Sequence, residues 1–313
     1  MQSIPKNILI IKHGSLGDWI QATGAFKLIR ARYPKSHITI LTQSNYAPLA
    51  YKCTWFNEVW IDDRLPLYKF FSNIKIIKKL RNYDYDHVYD LQCSNRTNIY
   101  HFLIRDKIKN WYGRARGCSH YVPFNHYAHS TELSYDLIKA SGINNFPIPD
   151  ISWLKTNKPN KRINSLKNFV LFIPGCSAKH IKKRWIAKNY AKLIDCLAKK
   201  NFKSILTGTE IDRQIINEII ENCSTSPINL INQAGFAEMA ELARNSQLVI
   251  GGDTGPTHIA ATTTARTLIL FTGASDPKKS RPWGNNITVL NSNSPETLSV
   301  EKVLDKTMEL LNT

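Results

Sequence analysis

The sequence predicts an α/β protein made of two doubly wound units, and three observations carry that reading. With 313 residues the chain is about twice the length of one ordinary domain. Short apolar runs alternate along it with amphipathic stretches of helical length, the pattern of parallel βαβ units. The alternation restarts after a polar stretch near the middle, rich in Lys, Asn and Pro, which has the composition of an interdomain linker. The expected division is a first Rossmann-like unit over 1–155, a linker over 156–168, a second such unit over 169–295 and a terminal helix over 296–313. Two facing units of this kind leave a cleft between the carboxyl ends of their sheets, where α/β proteins bind ligands.

Taken in order, residues 7–12 (Asn-Ile-Leu-Ile-Ile-Lys) form the first buried strand. A glycine turn over 13–18 follows, then a helix over 19–32 that Pro34 ends. Residues 38–42 are the next strand, 67–80 an amphipathic, lysine-rich helix and 87–91 a later strand. In the second series, strands are expected over 169–173, 204–207, 247–250 and 267–271, with helices over 190–199, 212–221 and 300–311.

An apolar content of 42%, an aromatic content of 10% and only 14 Gly and 14 Pro describe a globular chain and exclude disordered and collagen-like classes. The six cysteines include no Cys-x-x-Cys pair and no His partner at zinc spacing, which argues against a disulfide scaffold and a structural zinc site. The apolar run over 8–11 is too short for a signal-peptide core, and no stretch reaches the roughly 18 apolar residues of a membrane span. The chain is therefore expected in the cytoplasm. Net charge is +18, with 33 Lys+Arg against 12 Asp+Glu in residues 1–200 and 9 against 12 in residues 201–313. An excess confined to one part of the molecule points to a densely negative partner: nucleic acid, an anionic membrane surface or a phosphorylated glycolipid.

Between the first strand and helix, Gly14 and Gly17 leave backbone N–H groups free to face an anion. The spacing Gly-x-x-Gly lacks the third glycine of a dinucleotide fingerprint, and no Lys-Ser/Thr follows to make a P-loop. A nicotinamide-dependent oxidoreductase fails on that ground. Asp18 opens the helix, either as a cap or first-turn acid or as a functional carboxylate.

Residues 251–258 (Gly-Gly-Asp-Thr-Gly-Pro-Thr-His) join a strand to a helix. The glycines let the backbone approach a ligand, Pro256 suits a first helical turn, and Thr254 and Thr257 offer hydroxyls to phosphate or sugar oxygens. Asp253 can hold a sugar hydroxyl, while a tight capped turn accounts for the glycines alone. Residues 174–185 place Lys179, Lys182, Lys183 and Arg184 in a loop after a strand, where such charges neutralise a diphosphate; Trp185 marks the loop as packed. Glu210 and Asp212 stand just past another strand, where doubly wound folds set an acid against a ribose diol, or they cap the helix that follows. Asp84 and Asp86 make an Asp-x-Asp pair of the metal-binding kind, but their place before the strand over 87–91 reads as flanking or capping, and no metal is expected.

Residues 14–18 (Gly-Ser-Leu-Gly-Asp), 23–34 and 85–92 resemble glycosyltransferase family 9, the lipopolysaccharide heptosyltransferases. The resemblance continues in order through 183–185 (Lys-Arg-Trp), 208–213, 251–261, 271–277 and 281–284 (Arg-Pro-Trp-Gly), and so covers nearly the whole chain. It implies a GT-B architecture, with the acceptor held mainly by the first domain and ADP-heptose by the second. It also implies an inverting transfer with no cofactor and no metal. On its motifs Asp18 is the general base in a loop with Ser15 and Gly17 on the acceptor side. Lys183 neutralises the ADP leaving group with the N–H groups around Thr254 and Gly255. Asp253 binds the heptose, Glu210 or Asp212 the ribose, and Ser177 and His258 complete the donor side. The partners implied are a nucleotide-sugar donor and an anionic, lipid-linked oligosaccharide acceptor, met peripherally at the inner leaflet through Lys75, Lys78, Lys79 and Arg81. His13, Trp19 and Gly24 depart from the family pattern, all bordering the acceptor side. Another nucleotide sugar is the nearest alternative. A different class is a non-catalytic nucleic-acid binder using the 12 Lys+Arg between Arg64 and Arg116, interleaved with Tyr68, Phe70, Phe71, Trp111 and Tyr112; no RNA-recognition, KH or helix-turn-helix signature supports it, and no nucleic-acid partner is expected.

Overall fold

The computed structural model describes residues 5–66, 70–156, 165–177, 181 and 183–312, with the side chains of 70–72 left aside. Most of the expected linker, together with Lys179, Lys182 and Tyr68, lies outside the described residues. The chain divides into two compact units, Met1–Trp153 and Leu154–Thr313.

The first unit is one parallel sheet. Its strands are β1 (Asn7–Ile11), β2 (His37–Thr42), β3 (Glu58–Ile61), β4 (Tyr85–Asp90), β5 (Ile108–Gly113) and β6 (His120–Tyr121), in the spatial order β3-β2-β1-β4-β5-β6. Ile8 of β1 is in register with Ile38 on one side and His87 on the other. A strand at the centre of a parallel sheet is covered on both faces, which is why β1 reads as an unbroken apolar run; Ile8, Leu9, Ile10 and Ile11 are all buried. The flanking helices are α1 (Leu16–Gln21), α2 (Thr23–Arg32), α3 (Ala47–Lys52), α4 (Phe70–Arg81), α5 (Asn95–Ile104) and α6 (Ser130–Lys139).

The single helix expected over 19–32 is two helices, and it starts earlier. The break falls at Ala22, beside Thr23, whose hydroxyl donates to the Ile20 carbonyl and accepts from the Asp150 N–H at 2.9 Å. Such side-chain bonding competes with the helical ladder. It also ties the segment after α6 onto α2, where a Cβ on Gly24 would come within 2.2 Å of the Pro147 carbonyl oxygen. Only glycine fits under that crossing.

The second unit repeats the plan with β7 (Phe169–Ile173), β8 (Lys203–Leu206), β9 (Ile228–Asn229), β10 (Leu248–Gly252), β11 (Thr267–Thr272) and β12 (Ile287–Ser292), all parallel, in the order β12-β11-β10-β7-β8-β9. Its helices are α7 (Ala187–Ala198), α8 (Arg213–Asn222), α9 (Phe236–Asn245), α10 (Gly255–Thr262), α11 (Pro277–Ser280) and α12 (Val300–Asn312). Trp185 is buried against Tyr190 and donates its indole N–H to the Leu298 carbonyl at 2.8 Å, so the loop before α7 is packed. Helix α10 begins at Gly255, inside the segment 251–258 read as joining strand to helix, because Thr254 takes the N-cap position and Pro256 the first turn.

In both sheets the first strand of the unit lies between the second and the fourth. The chain therefore reverses direction across the sheet between β1 and β4, and again between β7 and β10, which creates a crevice at the carboxyl ends of each pair. Among the described residues no helix is long and apolar enough to cross a membrane.

Candidate active-site residues at the two switch points

In the first unit, the turn after β1 is held from several sides. The N–H groups of His13 and Gly14 both donate to Gln92 Oε1, at 3.0 and 3.2 Å, and Gln92 lies just beyond β4. The link spans the β1/β4 switch point. Gly14 has φ +141°, and a Cβ there would strike the Tyr46 ring at 2.1 Å, so this position has both a conformational and a steric need for glycine. Ser15 is exposed at the N-cap of α1, Gly17 is buried, and Asp18 is half-buried in the first turn. The Ser15 hydroxyl donates to Asp18 Oδ2 at 3.1 Å. The neighbouring Tyr46 phenol is pushed above its usual range mainly by burial, with the Asp18 charge adding to the effect and Arg64 opposing it.

Behind the turn lies a buried charged array. His13 is fully buried, with Nε2 2.8 Å from Asp62 Oδ2. Arg96 of α5 grips the same carboxylate with both arms of its guanidinium, at 2.6 and 2.9 Å, and the Tyr100 hydroxyl donates to it as well. Burial alone would raise the Asp62 pKa, but these partners together hold it well below the usual carboxylate range. Asp90, at the end of β4, is pushed the other way by complete burial, although it accepts the N–H groups of Gln92 and Cys93. Lys12 Nζ donates to the Leu91 carbonyl at 3.0 Å.

The three departures from the family pattern are all packed into the first unit. His13 and Trp19 are buried, Trp19 against Phe26 and Trp153, and Gly24 lies under the Pro147 crossing.

In the second unit the polar residues converge where β7 and β10 lie side by side. Lys183 Nζ is 2.6 Å from Asp253 Oδ2, His258 Nε2 is 3.3 Å from Asp253 Oδ1, and the Ser280 hydroxyl donates to Oδ2 at 3.2 Å. Burial would raise the pKa of Asp253, but hydrogen bonds from His258 and Lys183 hold it far below the ordinary value. Thr254 Oγ1 lies 3.2 Å from Thr257 Oγ1 at the start of α10. Gly251 is needed for packing, since a Cβ there would meet the Thr257 hydroxyl at 2.6 Å. Ser177 is exposed beyond β7.

Glu210 and Asp212 follow β8 and have different partners. Asp212 Oδ2 accepts the Thr209 N–H and hydroxyl at 3.0 and 3.1 Å, its Oδ1 lies 3.6 Å from Arg184, and its carboxylate sits over Gly175. Glu210 is exposed, and hydrogen bonds from Arg213 and Asn232 lower its pKa to about 2.

Asp86 Oδ2 accepts the N–H groups of Lys6 and Asn7 and its Oδ1 pairs with Lys109 at 2.6 Å, while Asp84 pairs with Lys107. Asp84 precedes β4, but Asp86 lies within it, because the strand starts at Tyr85, earlier than expected. Among the described residues no group of three His, Cys, Asp or Glu side chains is placed to hold a metal ion. The charge asymmetry of the sequence does not follow the units: Met1–Trp153 carries 20 Lys+Arg against 11 Asp+Glu, and Leu154–Thr313 carries 22 against 13. The surplus in residues 154–200 belongs to the second unit, so the charge does not mark the first as the anion-binding one. Trp111 and Tyr112 are buried in the first unit and form no stacking surface for bases.

Sequence reasoning missed Asp62, Gln92, Arg96, Tyr100, Tyr46 and Ser280. Gln92 closes the family-like segment 85–92 but carried no role there; the others stand outside the motifs, and strand order brings them to a switch point.

Residues 73–308 match the family described as glycosyltransferase family 9 (heptosyltransferase). Similar proteins include lipopolysaccharide heptosyltransferase 3 of Escherichia coli, 25% identical over 95% of this chain and 91% of that one, and lipooligosaccharide heptosyltransferase 2 of Haemophilus influenzae, 25% identical with the same coverages. The structure resembles a family 9 glycosyltransferase from Veillonella parvula with a TM-score of 0.83 at 17% identity, covering 98% of this chain and 97% of that one. It also resembles E. coli heptosyltransferase WaaC with ADP, with a TM-score of 0.79 at 18% identity, covering 97% and 99%. With two Rossmann-like sheets of the same strand order and a family match over most of its length, the chain belongs to glycosyltransferase family 9 and is a glycosyltransferase of GT-B fold.

Proposed function

We propose that the enzyme transfers heptose from ADP-heptose to the inner core of lipopolysaccharide, inverting the anomeric carbon without a metal ion. The observation that carries this reading is the polar set at each switch point: a carboxylate in the turn after β1, and a Lys–Asp–His set at the head of α10. The names of the relatives, which are lipopolysaccharide and lipooligosaccharide heptosyltransferases, support the substrate class.

The first unit holds the acceptor and the second the nucleotide sugar. Asp18 takes the proton from the acceptor hydroxyl as that oxygen attacks; Ser15 fixes Oδ2 and leaves Oδ1 for the proton. Gly17 lets the acceptor approach that turn. In the second unit, the N–H groups at the start of α10 and the Thr254 hydroxyl receive the diphosphate. Lys183, already held by Asp253, turns toward the phosphates, whose charge grows as the bond to the sugar breaks. Asp253 keeps His258 and Ser280 and takes heptose hydroxyls. Glu210, which is exposed and held open to solvent by Arg213 and Asn232, holds the ribose diol, whereas Asp212 is turned back onto Thr209. Ser177 completes the donor side. The acceptor is a lipid-linked anionic oligosaccharide, met by a peripheral protein at the cytoplasmic face of the inner membrane.

The test is an assay of ADP-heptose and other nucleotide sugars against defined core acceptors, with and without EDTA. Turnover from ADP-heptose that survives EDTA supports the proposal. Turnover from a different nucleotide sugar alone replaces the donor, and loss of activity in EDTA rejects the metal-free mechanism.

A further inference from the structure

His13 is a fully buried histidine at the start of the turn that leads into α1, five residues before Asp18, and its side chain is closed off from solvent. A titratable side chain placed in a core is costly unless a partner holds it. Here the partner is built from distant parts of the chain. Asp62 follows β3, Arg96 and Tyr100 come from α5, and those two meet on the Asp62 carboxylate, which lies against His13 Nε2. Arg96 is itself anchored, donating to the Leu65 carbonyl at 3.0 Å and to Asn73 Oδ1 at 2.8 Å. The carboxylate is thus held in position by groups other than His13.

The backbone of His13 is fixed as well. Its N–H and that of Gly14 share Gln92 Oε1, while the Tyr46 ring covers Gly14. The chain at 13–14 is therefore clamped by β4 through its backbone and by β3 and α5 through the His13 side chain. Leu16 follows two residues later and opens α1, which has only six residues and bears Asp18 in its first turn. A helix this short has little stability of its own, so its direction depends on how the preceding turn is held.

We propose that His13, gripped by the Asp62–Arg96–Tyr100 array, is a positioning residue that sets the placement of Asp18 for proton transfer. It acts through the turn and contacts no substrate. The inference rests on the reading of Asp18 as the general base. It assigns the array a role that packing alone would not give: a small displacement of a base costs turnover far more than it costs folding, about 10²-fold for a shift of roughly 1 Å.

The experiment measures kcat per folded molecule, the KM for ADP-heptose, and ADP affinity by calorimetry for His13→Ala, His13→Gln, Asp62→Asn and the His13→Ala/Asp62→Asn pair, with Asp18→Asn alongside. The expected result is a fall in kcat of about 10²-fold for His13→Ala and Asp62→Asn with ADP affinity unchanged. His13→Gln, whose amide donates to Asp62 from a similar distance, recovers most of the turnover. The double variant is no worse than either single one, because both break the same link. Unchanged kcat in folded His13→Ala, or losses that multiply in the double variant, overturns the proposal. Where His13→Ala does not fold, Tyr100→Phe removes one donor to Asp62 with little change in volume; a partial fall in kcat supports the link and an unchanged kcat overturns it. An active Asp18→Asn rejects the base itself, whereas inactive Asp18→Asn with fully active His13 variants rejects only the positioning role.

Discussion

Lys183 Nζ lies 2.6 Å from Asp253 Oδ2, although 70 positions separate the two residues in the chain. Lys183 lies in the segment after β7 and Asp253 directly after β10, and those two strands are neighbours. Both side chains are largely buried, so each charge depends on the other for its solvation. A pair of this kind holds a cation ready beside a helix N-terminus without leaving it as a lone buried ion.

Lys183→Ala is accordingly expected to weaken ADP-heptose binding, slow turnover and lower stability by a few kcal/mol, roughly the 3–5 kcal/mol seen when one partner of a buried pair is removed, reduced for its partial exposure. Lys183→Ala/Asp253→Asn should regain part of the stability and none of the activity. Calorimetric titration with ADP and thermal unfolding read the two effects separately.

Asp18→Asn is expected to abolish transfer while leaving ADP affinity close to that of the native enzyme, since the amide keeps the shape but cannot accept the proton. A purely structural first-turn acid would cost only about 1 kcal/mol of stability and leave turnover standing. Single-turnover rates measured on folded protein decide between the two.

Acid should act through Asp62 and Asp253. Both native carboxyls titrate below their ordinary value, so the unfolded chain binds protons first as pH falls. Their contribution to stability is therefore complete above about pH 4 and is lost as pH drops from there toward the native values. Urea unfolding should show a constant gap between the native protein and Asp62→Asn from about pH 5 to 7, narrowing below about pH 4. A gap that widens on acidification contradicts the ion array.

Association with anionic vesicles should be reversible and salt-sensitive, with each cation near the surface contributing about 1 kcal/mol before screening. The four cations expected to act together divide in the structure. Lys79 pairs with Glu58 and lies 4.4 Å from the Trp60 ring, and Arg81 pairs with Asp106 and donates to the Leu103 carbonyl. Lys75 and Lys78 are exposed. Lys75→Glu/Lys78→Glu should reduce vesicle binding and activity on lipid-linked acceptor while sparing a soluble one; equal loss on both acceptors would assign the lysines to the fold or the sugar site. Arg81→Glu should instead destabilise the fold.

Gly24→Ala is expected to destabilise the first unit by about 1–3 kcal/mol, because its Cβ meets the Pro147 carbonyl oxygen and the crossing segment must shift. Denaturant unfolding checks this, and a neutral outcome would mean that residues 147–150 move aside freely.

The central strands, the glycine turns after them and the terminal helix were legible in the sequence because each signal is local. β1 beyond Asn7 and all of β7 are apolar since both faces are covered, Gly14 is a turn residue by its own chemistry, and Pro256 suits the first turn of α10. The edge elements were not legible. β5 and β6 at one side of the first sheet, and β9 and β12 at the sides of the second, carry polar residues or only two positions, and a short strand of mixed polarity has no period to read.

What the sequence by itself determined is the pair of doubly wound units, the family, and the motif residues at the ends of strands: Ser15, Gly17, Asp18, Lys183, Asp253, Thr254, Gly255 and His258. What only the tertiary structure decided is which of the other charges join them. Asp62, Arg96 and Tyr100 meet His13 from two further elements, Lys79 and Arg81 pair at the surface with Glu58 and Asp106, and the net charge is shared between the units. The physical reason is that hydrogen bonds and ion pairs act over a few ångströms of space, and strand order, set by burial of whole sheets, decides which distant residues come that close.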